Sequence, residues 1–292
     1  MATRFSDWFQ TRILSLTLRI LWILPEECAR GLASFLGWML SGLLRSRRRI
    51  MEENLRIAFG PDLDRDRMIH ICQQASMNLI LAGIEVLRFP RWGDRYLAEM
   101  TVEGIEYVER ALSAGRGLIF IVPHLGNWEI GGAFFARRFP FAVIARPLNQ
   151  KGPARLLDDI RAQTGMKVFA RKSALKSVLA FLRSGGTVAF MLDQHASKHS
   201  VVVPFFGKPV KTFSSAAALA LRTGAEVILG YTWRRPNRTL ALKFRSPFRI
   251  PVSGDFEHDV LEATRQYTAA IEAAVREHPD CWLWMHRRWR TL

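Results

Sequence analysis

The chain has 292 residues, 49% of them hydrophobic, which is enough to bury a sizeable core and excludes intrinsic disorder. Its 42 Lys+Arg against 26 Asp+Glu leave a formal net charge of +16, favouring an anionic partner such as nucleic acid, anionic lipid or an acidic protein. The 9 Trp and 19 Phe tilt that choice towards lipid, and three scattered cysteines, Cys28, Cys72 and Cys281, argue against a disulfide framework or a thiolate zinc site and suit ordinary packing.

In chain order, the first elements are two apolar segments, ILSLTLRILWILP (13–25) and GLASFLGWMLSGLL (31–44). Each is shorter than the ~20 residues of a full membrane span, and neither is followed by a signal-peptide cleavage pattern. An interfacial hairpin, or one imperfect span, is the expectation. The cluster RSRRR (45–49) then belongs beside anionic headgroups on the cytoplasmic face; two core helices and a solvated basic loop are the alternative. Residues 1–60 are read as this membrane-associating region and 61–292 as a single α/β domain.

Residues 68–90 predict a long helix that Pro90 stops, and residues 100–117 a short strand followed by a helix. Strand-like runs follow at 118–123, 141–147, 187–193, 225–234 and 239–250, with helical patterns at 128–138, 153–165, 173–184 and 214–223. Short, fully apolar strands alternating with helices predict an α/β fold with a mostly parallel central sheet flanked by helices. The last two strands, separated by RPNR, read as a hairpin. A helix near 257–277 precedes the aromatic, basic tail CWLWMHRRWRTL.

The stretch GLIFIVPHLGNWEIGGAFF (117–135) carries the chemistry. Its strand ends at Pro123, and Asn127 is a good N-cap for the helix that follows, so the polar residues fall beyond the carboxyl end of a strand, where sites form in such sheets. Five residues apart on one helix, His124 and Glu129 would point about 140° apart. A strand–turn–helix lets them meet, with the carboxylate fixing the imidazole tautomer and the other ring nitrogen free to take a proton from a hydroxyl. With no serine or cysteine in the motif, direct attack by an external hydroxyl is favoured over an acyl-enzyme. A structural histidine beside a helix-capping carboxylate is the alternative.

Two more polar clusters interrupt the sheet. Asp193 and Gln194 end a strand, and VPFFGKPVKTFSS (203–215) offers Lys208, Lys211 and the N-cap candidate Thr212. Arg146 follows the strand FAVIA, and Arg161 lies on the next helix. His195 and His199 beside Asp193 raise the thought of a metal, but four-residue spacing suits a helix and HASKHS reads as a loop, so none is expected. GxGxxG and GxxxxGK[ST] nucleotide cradles are absent from the sequence, and no nucleic-acid-reading motif accompanies the charge.

HLGNWE, ARPLN, DQ, VPFFGKPVKT and WLWMHRRW, with RRRIMEENLRIAFG (47–60) before them, together resemble the lipid A biosynthesis lauroyl/myristoyl acyltransferases, within the lysophospholipid acyltransferase superfamily. Glu129 in place of aspartate, and the lack of a proline-glutamate-glycine block, favour that branch. The resemblance implies transfer of a fatty acyl group from acyl carrier protein to a hydroxyl of a phosphorylated lipid A precursor at the cytoplasmic face of the inner membrane, with no cofactor. It implies His124 as general base and Glu129 as its partner. Asn127, Arg146, Arg161, Asp193 and Gln194 are expected to bind substrate, the arginines meeting phosphates. HASKHSVVV departs from the glycine-rich character expected after Asp193-Gln194, which bears on donor or acceptor preference. Acyl-CoA-dependent acylation of another glycolipid or a lysophospholipid, or a non-enzymatic basic membrane-binding protein, are the competing readings.

Overall fold

The computed structural model describes residues 16–145, 151–170, 174–250 and 252–290. Residues 16–23 form helix α1, and Pro25 stands at the N-cap of α2 (Glu26–Leu43). Next come α3 (Arg45–Phe59) and α4 (Arg65–Ala98). The basic cluster therefore opens a helix, and α3 contributes Met51, Leu55 and Ala58 to the main core. No helix among the described residues is long and apolar enough to cross a membrane.

The Asp64 carboxylate caps α4 by accepting from the Arg67 N–H. The predicted stop at Pro90 is overturned, because the helix runs on to Ala98. An interior proline forfeits one backbone hydrogen bond and costs about 3 kcal/mol; burial of Tyr96 and Leu97 beyond it offsets that cost.

The α/β core follows as β1 (Thr101–Glu103), α5 (Ile105–Ser113), β2 (Leu118–Ile121), α6 (Trp128–Ala136), β3 (Phe141–Ala145), α7 (Lys151–Gln163), β4 (Lys167–Ala170), α8 (Ala174–Arg183) and β5 (Thr187–Phe190). It is completed by β6 (Ser200–Phe205), β7 (Lys208–Phe213), α9 (Ser215–Thr223), β8 (Glu226–Arg234), β9 (Leu240–Phe244) and α10 (Phe256–Glu277). Seven strands form one sheet in the order β1-β9-β8-β2-β5-β3-β4. All neighbouring pairs are parallel except the β8–β9 hairpin, so the mostly parallel sheet and the final hairpin match expectation.

The central strands β2 and β5 are buried at every position. Their residues alternate between two cores with the period of two that a strand imposes. Ile119, Ile121, Val188 and Phe190 face the layer containing α9, α10 and the carboxyl-terminal tryptophans. Leu118, Phe120 and Ala189 face the layer containing α5 and α6.

Three local features differ from expectation. Strand β4 lies at the sheet edge and is mostly exposed, so it lacks the apolar run that announces a buried strand. The hairpin β6–β7 turns through Phe206 and Gly207, both at positive φ (52° and 71°), as a two-residue primed turn requires; FG is an uncommon turn pair and hid it. Thr212 consequently lies in β7 rather than capping a helix, and α9 starts after Ser214.

Candidate active site

Strands β2 and β5 are parallel neighbours in register, so the segments leaving their carboxyl ends emerge side by side. One carries His124 and the other Asp193 and Gln194. The His124 ring Nδ1 lies 2.8 Å from Asp193 Oδ1, and the His124 backbone N–H donates to Asp193 Oδ2 at 2.7 Å. The Trp282 indole N–H donates to the same Oδ2 at 2.9 Å. Asp193 is only 3% exposed. Burial pushes its carboxyl up, but the charge of His124 and the hydrogen bonds from the His124 ring, the His124 backbone and Trp282 outweigh it and hold the acid at about 2.

An ionised carboxylate only accepts, so the His124 Nδ1 carries the proton and donates it. In the neutral form of the ring this leaves the lone pair on Nε2, which the Gln194 side-chain amide faces at 3.3 Å. This is the geometry of an oriented base: one nitrogen anchored to a buried anion, the other aimed outward.

Glu129 is not the partner of His124. From the first turn of α6 its carboxylate accepts from Arg161 of α7, Nε donating to Oε2 at 3.0 Å and Nη2 to Oε1. The fork geometry of guanidinium suits this two-point contact. The expected His124–Glu129 pair therefore gives way to two pairs, His124–Asp193 and Arg161–Glu129. The reason is topological: β5 brings Asp193 against the Nδ1 edge of His124, while α6 carries Glu129 towards α7. Arg161, expected to meet phosphate, has its charge compensated by Glu129, with Asp158 3.7 Å away.

Asn127 also departs from expectation. It is 1% exposed, its Oδ1 accepts from the Ile130 N–H at the start of α6, and its Nδ2 donates to Glu85 and to the Ala82 carbonyl. Its hydrogen-bonding capacity is spent on protein rather than left for a substrate. Glu85 is held in turn by both terminal nitrogens of Arg234, at 2.9 Å each. Arg146 lies outside the described residues.

The turn between β2 and α6 is fastened from several sides. Gly126 has φ +62° and its N–H donates to the Cys281 carbonyl. The Leu283 N–H donates to the His124 carbonyl, and Thr232 Oγ1 to the Leu125 carbonyl. The carboxyl-terminal CWLW segment thus braces the His124 loop.

Beside this centre an apolar cleft opens between the sheet and α6. Phe120, Phe135, Phe141 and Phe244 are among its walls, and Trp128, Glu129 and Arg161 also line it. The Trp128 ring meets the His124 ring edge-on at 5.0 Å between centroids, which links the cleft to the base. Among the described residues no group of His, Cys, Asp and Glu is arranged to hold a metal ion.

Residues 3–291 match the family described as bacterial lipid A biosynthesis acyltransferase. The chain is 28% identical to a phosphatidylinositol mannoside acyltransferase of Mycobacterium tuberculosis over 51% of its own length and 50% of that relative, so it matches about half of that protein. It is 25% identical to the lipid A biosynthesis palmitoleoyltransferase of Escherichia coli, over 94% of this chain and 90% of the relative. To the lipid A biosynthesis lauroyltransferase of the same organism it is 24% identical over the same shares. With a family match from one end to the other, the chain belongs to the bacterial lipid A biosynthesis acyltransferases.

Proposed function

We propose that the protein is an O-acyltransferase that moves a fatty acyl group from an acyl carrier protein thioester to a hydroxyl of a lipid A precursor. Family membership supports acyl transfer to a glycolipid. The observation that carries the chemical reading is His124, held by a buried, ionised Asp193 beside an apolar cleft.

In this reading the acceptor hydroxyl displaces the Gln194 amide from His124 Nε2 and gives up its proton there as its oxygen attacks the thioester carbonyl. Asp193 stabilises the imidazolium that results. The tetrahedral intermediate collapses by breaking the C–S bond, and the proton passes from His124 to the departing thiolate. The Gln194 amide and the backbone N–H groups opening α6 are the nearby donors for the transient oxyanion. The thioester supplies the activated acyl group, so no cofactor is required. The acyl chain occupies the apolar cleft, and the Arg161–Glu129 pair fixes the register of α6 against α7 at its edge.

Membrane attachment belongs to the same proposal. Along α2, Phe35 and Trp38 are both 57% exposed and Leu43 63%, and in α1 Ile23 is 78% exposed. With Arg45, Arg47, Arg48 and Arg49 following, this face suits the cytoplasmic leaflet of the inner membrane. The mannoside acyltransferase likeness supports a second acceptor reading, another glycolipid with acyl-CoA as donor.

The test is acylation by the purified protein with acyl carrier protein or coenzyme A thioesters, paired with lipid A mass spectrometry with and without the gene. Transfer to the precursor that disappears in His124→Ala is expected. Near-normal turnover by His124→Ala, or an unchanged lipid A spectrum without the gene, overturns the reading.

A further inference from the structure

On the face of the sheet that packs the carboxyl-terminal tryptophans, away from the apolar cleft, three backbone segments are tied together, and Lys211, Arg288 and Arg290 are the cations they carry. Arg288, 0% exposed, donates from Nη1 to the carbonyls of Gln194 at 2.8 Å and Lys211 at 2.7 Å, and from Nη2 to the Thr212 hydroxyl. The Ala196 N–H donates to the same Lys211 carbonyl. Arg288 thus clasps the Asp193–Ala196 loop to β7, and among the described residues it has no carboxylate partner within salt-bridge distance. Burial pushes its guanidinium down to about 10.

Around this clasp stand His195, Lys211, His286 and Arg290. Neither Lys211 nor Arg290 has an acidic partner among the described residues, and Arg290 is exposed. The buried Nδ1 atoms of His195 and His286 have no hydrogen-bond partner among the described residues. Burial lowers the His195 pKa, and Arg290, Arg288 and Lys211 lower it further. His286 is pushed down to about 4 by burial first, with Arg290, His124 and Arg288 adding to it against Asp193. The nearby carboxylate, Asp193, is already spent on His124 and Trp282. Like charges packed without counter-ions cost stability, and buried polar atoms left unpaired cost more. An arrangement that bears both is ready for an anion to supply what is missing.

We propose that His195, Lys211, His286 and Arg290 form a phosphate-binding subsite, built on the buried Arg288, that holds a phosphate group of one of the two substrates while the acyl chain lies in the cleft on the other face of the sheet. The assignment rests on the acyltransferase reading above. It moves phosphate recognition away from Arg161, whose charge Glu129 already answers. A phosphate there offers acceptor oxygens to both orphaned imidazoles once they protonate, and to the two uncompensated side chains. Two sources share this chemistry: the phosphodiester of the carrier protein's phosphopantetheine arm, and the phosphate monoesters of the glycolipid acceptor.

Equilibrium binding distinguishes them without relying on turnover. Calorimetry on the full chain in detergent compares 4′-phosphopantetheine with pantetheine, and the lipid A precursor before and after phosphatase treatment. Wild type is expected to prefer the phosphorylated member of one pair by about tenfold or more, the effect of one strong charged contact; that pair identifies the source. Lys211→Met with Arg290→Met should abolish the preference. It should leave Tm unchanged or higher, because repulsion is relieved and the Lys211 carbonyl that holds Arg288 is kept. No preference in either pair for the wild type, or a preference that survives both substitutions, overturns the subsite. A wild type that binds with this preference but transfers no acyl group instead defeats the acyltransferase reading and leaves the subsite standing.

Discussion

At the scale of single residues, the distinction that matters is between the two carboxylates near His124. Asp193 touches the imidazole and Glu129 does not. Asp193→Asn preserves shape but removes the anion and the tautomer control, and the loss of turnover expected for such a change is about 10³–10⁴-fold. Its stability signature has a defined sign. The folded carboxyl is held at about 2, below the 3.8 of an unperturbed aspartate. The group therefore contributes about 2 kcal/mol that is fully present above pH ~4 and lost as pH falls towards 2. Denaturation of wild type and Asp193→Asn across that window should show the gap between them closing. Glu129→Gln acts differently. It weakens the Arg161 clamp on α6, so turnover falls, but the pH at which the base protonates should not move. A clear shift of the acid limb of kcat/KM in Glu129→Gln would mean that Glu129 reaches His124 during the reaction.

At the scale of elements, the His124 turn depends on backbone fit. A Cβ at Gly126 would lie 2.4 Å from the Thr232 carbonyl oxygen, and φ there is +62°. Gly126→Ala should cost about 1–3 kcal/mol in strain, and Tm should drop by a few degrees. Turnover should fall as well, because the displaced loop carries His124 away from Asp193; full activity at normal Tm would show that the loop has another way to settle. The sequence made much of this region legible. An apolar strand, a turn with Gly126, and Asn127 as N-cap follow from local chemistry, and so do the alternating strands and helices. What it hid was non-local. That Asp193 rather than Glu129 meets the imidazole depends on β5 being the neighbour of β2, which spacing within one motif does not encode. Nor does the tail announce that Trp282 donates to Asp193, since an aromatic, basic terminus reads equally as an interfacial anchor. The β6–β7 hairpin was hidden by its turn pair, and β4 by its exposed edge position.

At the scale of the whole molecule, α2 inverts the usual amphipathic arrangement. Its small residues, Ala29, Ala33, Gly37 and Ser41, are buried at four-residue spacing, and the space a Cβ at Gly37 would need is taken by the Met77 backbone at 2.6 Å. Small side chains at this spacing let two helix backbones approach closely, as helices in lipid do. The large side chains are left outside: Leu32, Phe35, Leu36 and Trp38 all face solvent in the isolated chain. The helices are fixed in that attitude by polar ties to α4. Trp22 donates to the Leu87 carbonyl, and the buried Arg88 reaches the Leu24 carbonyl and Glu26. A loosely attached apolar segment could fold back over its own core, but this one is held with its apolar face outward. Water makes that face costly, and a bilayer interface removes the cost at roughly 1.5–3 kcal/mol per large side chain buried. Phe35→Ser with Trp38→Ser should therefore weaken flotation with anionic vesicles by well over tenfold. Tm in detergent should change little, because neither side chain belongs to the core. Raising the salt concentration should weaken flotation further if the arginines of α3 share the task. Flotation equal to wild type would remove this face from the proposed membrane contact, and loss of Tm in detergent would mean that these two side chains support the fold itself.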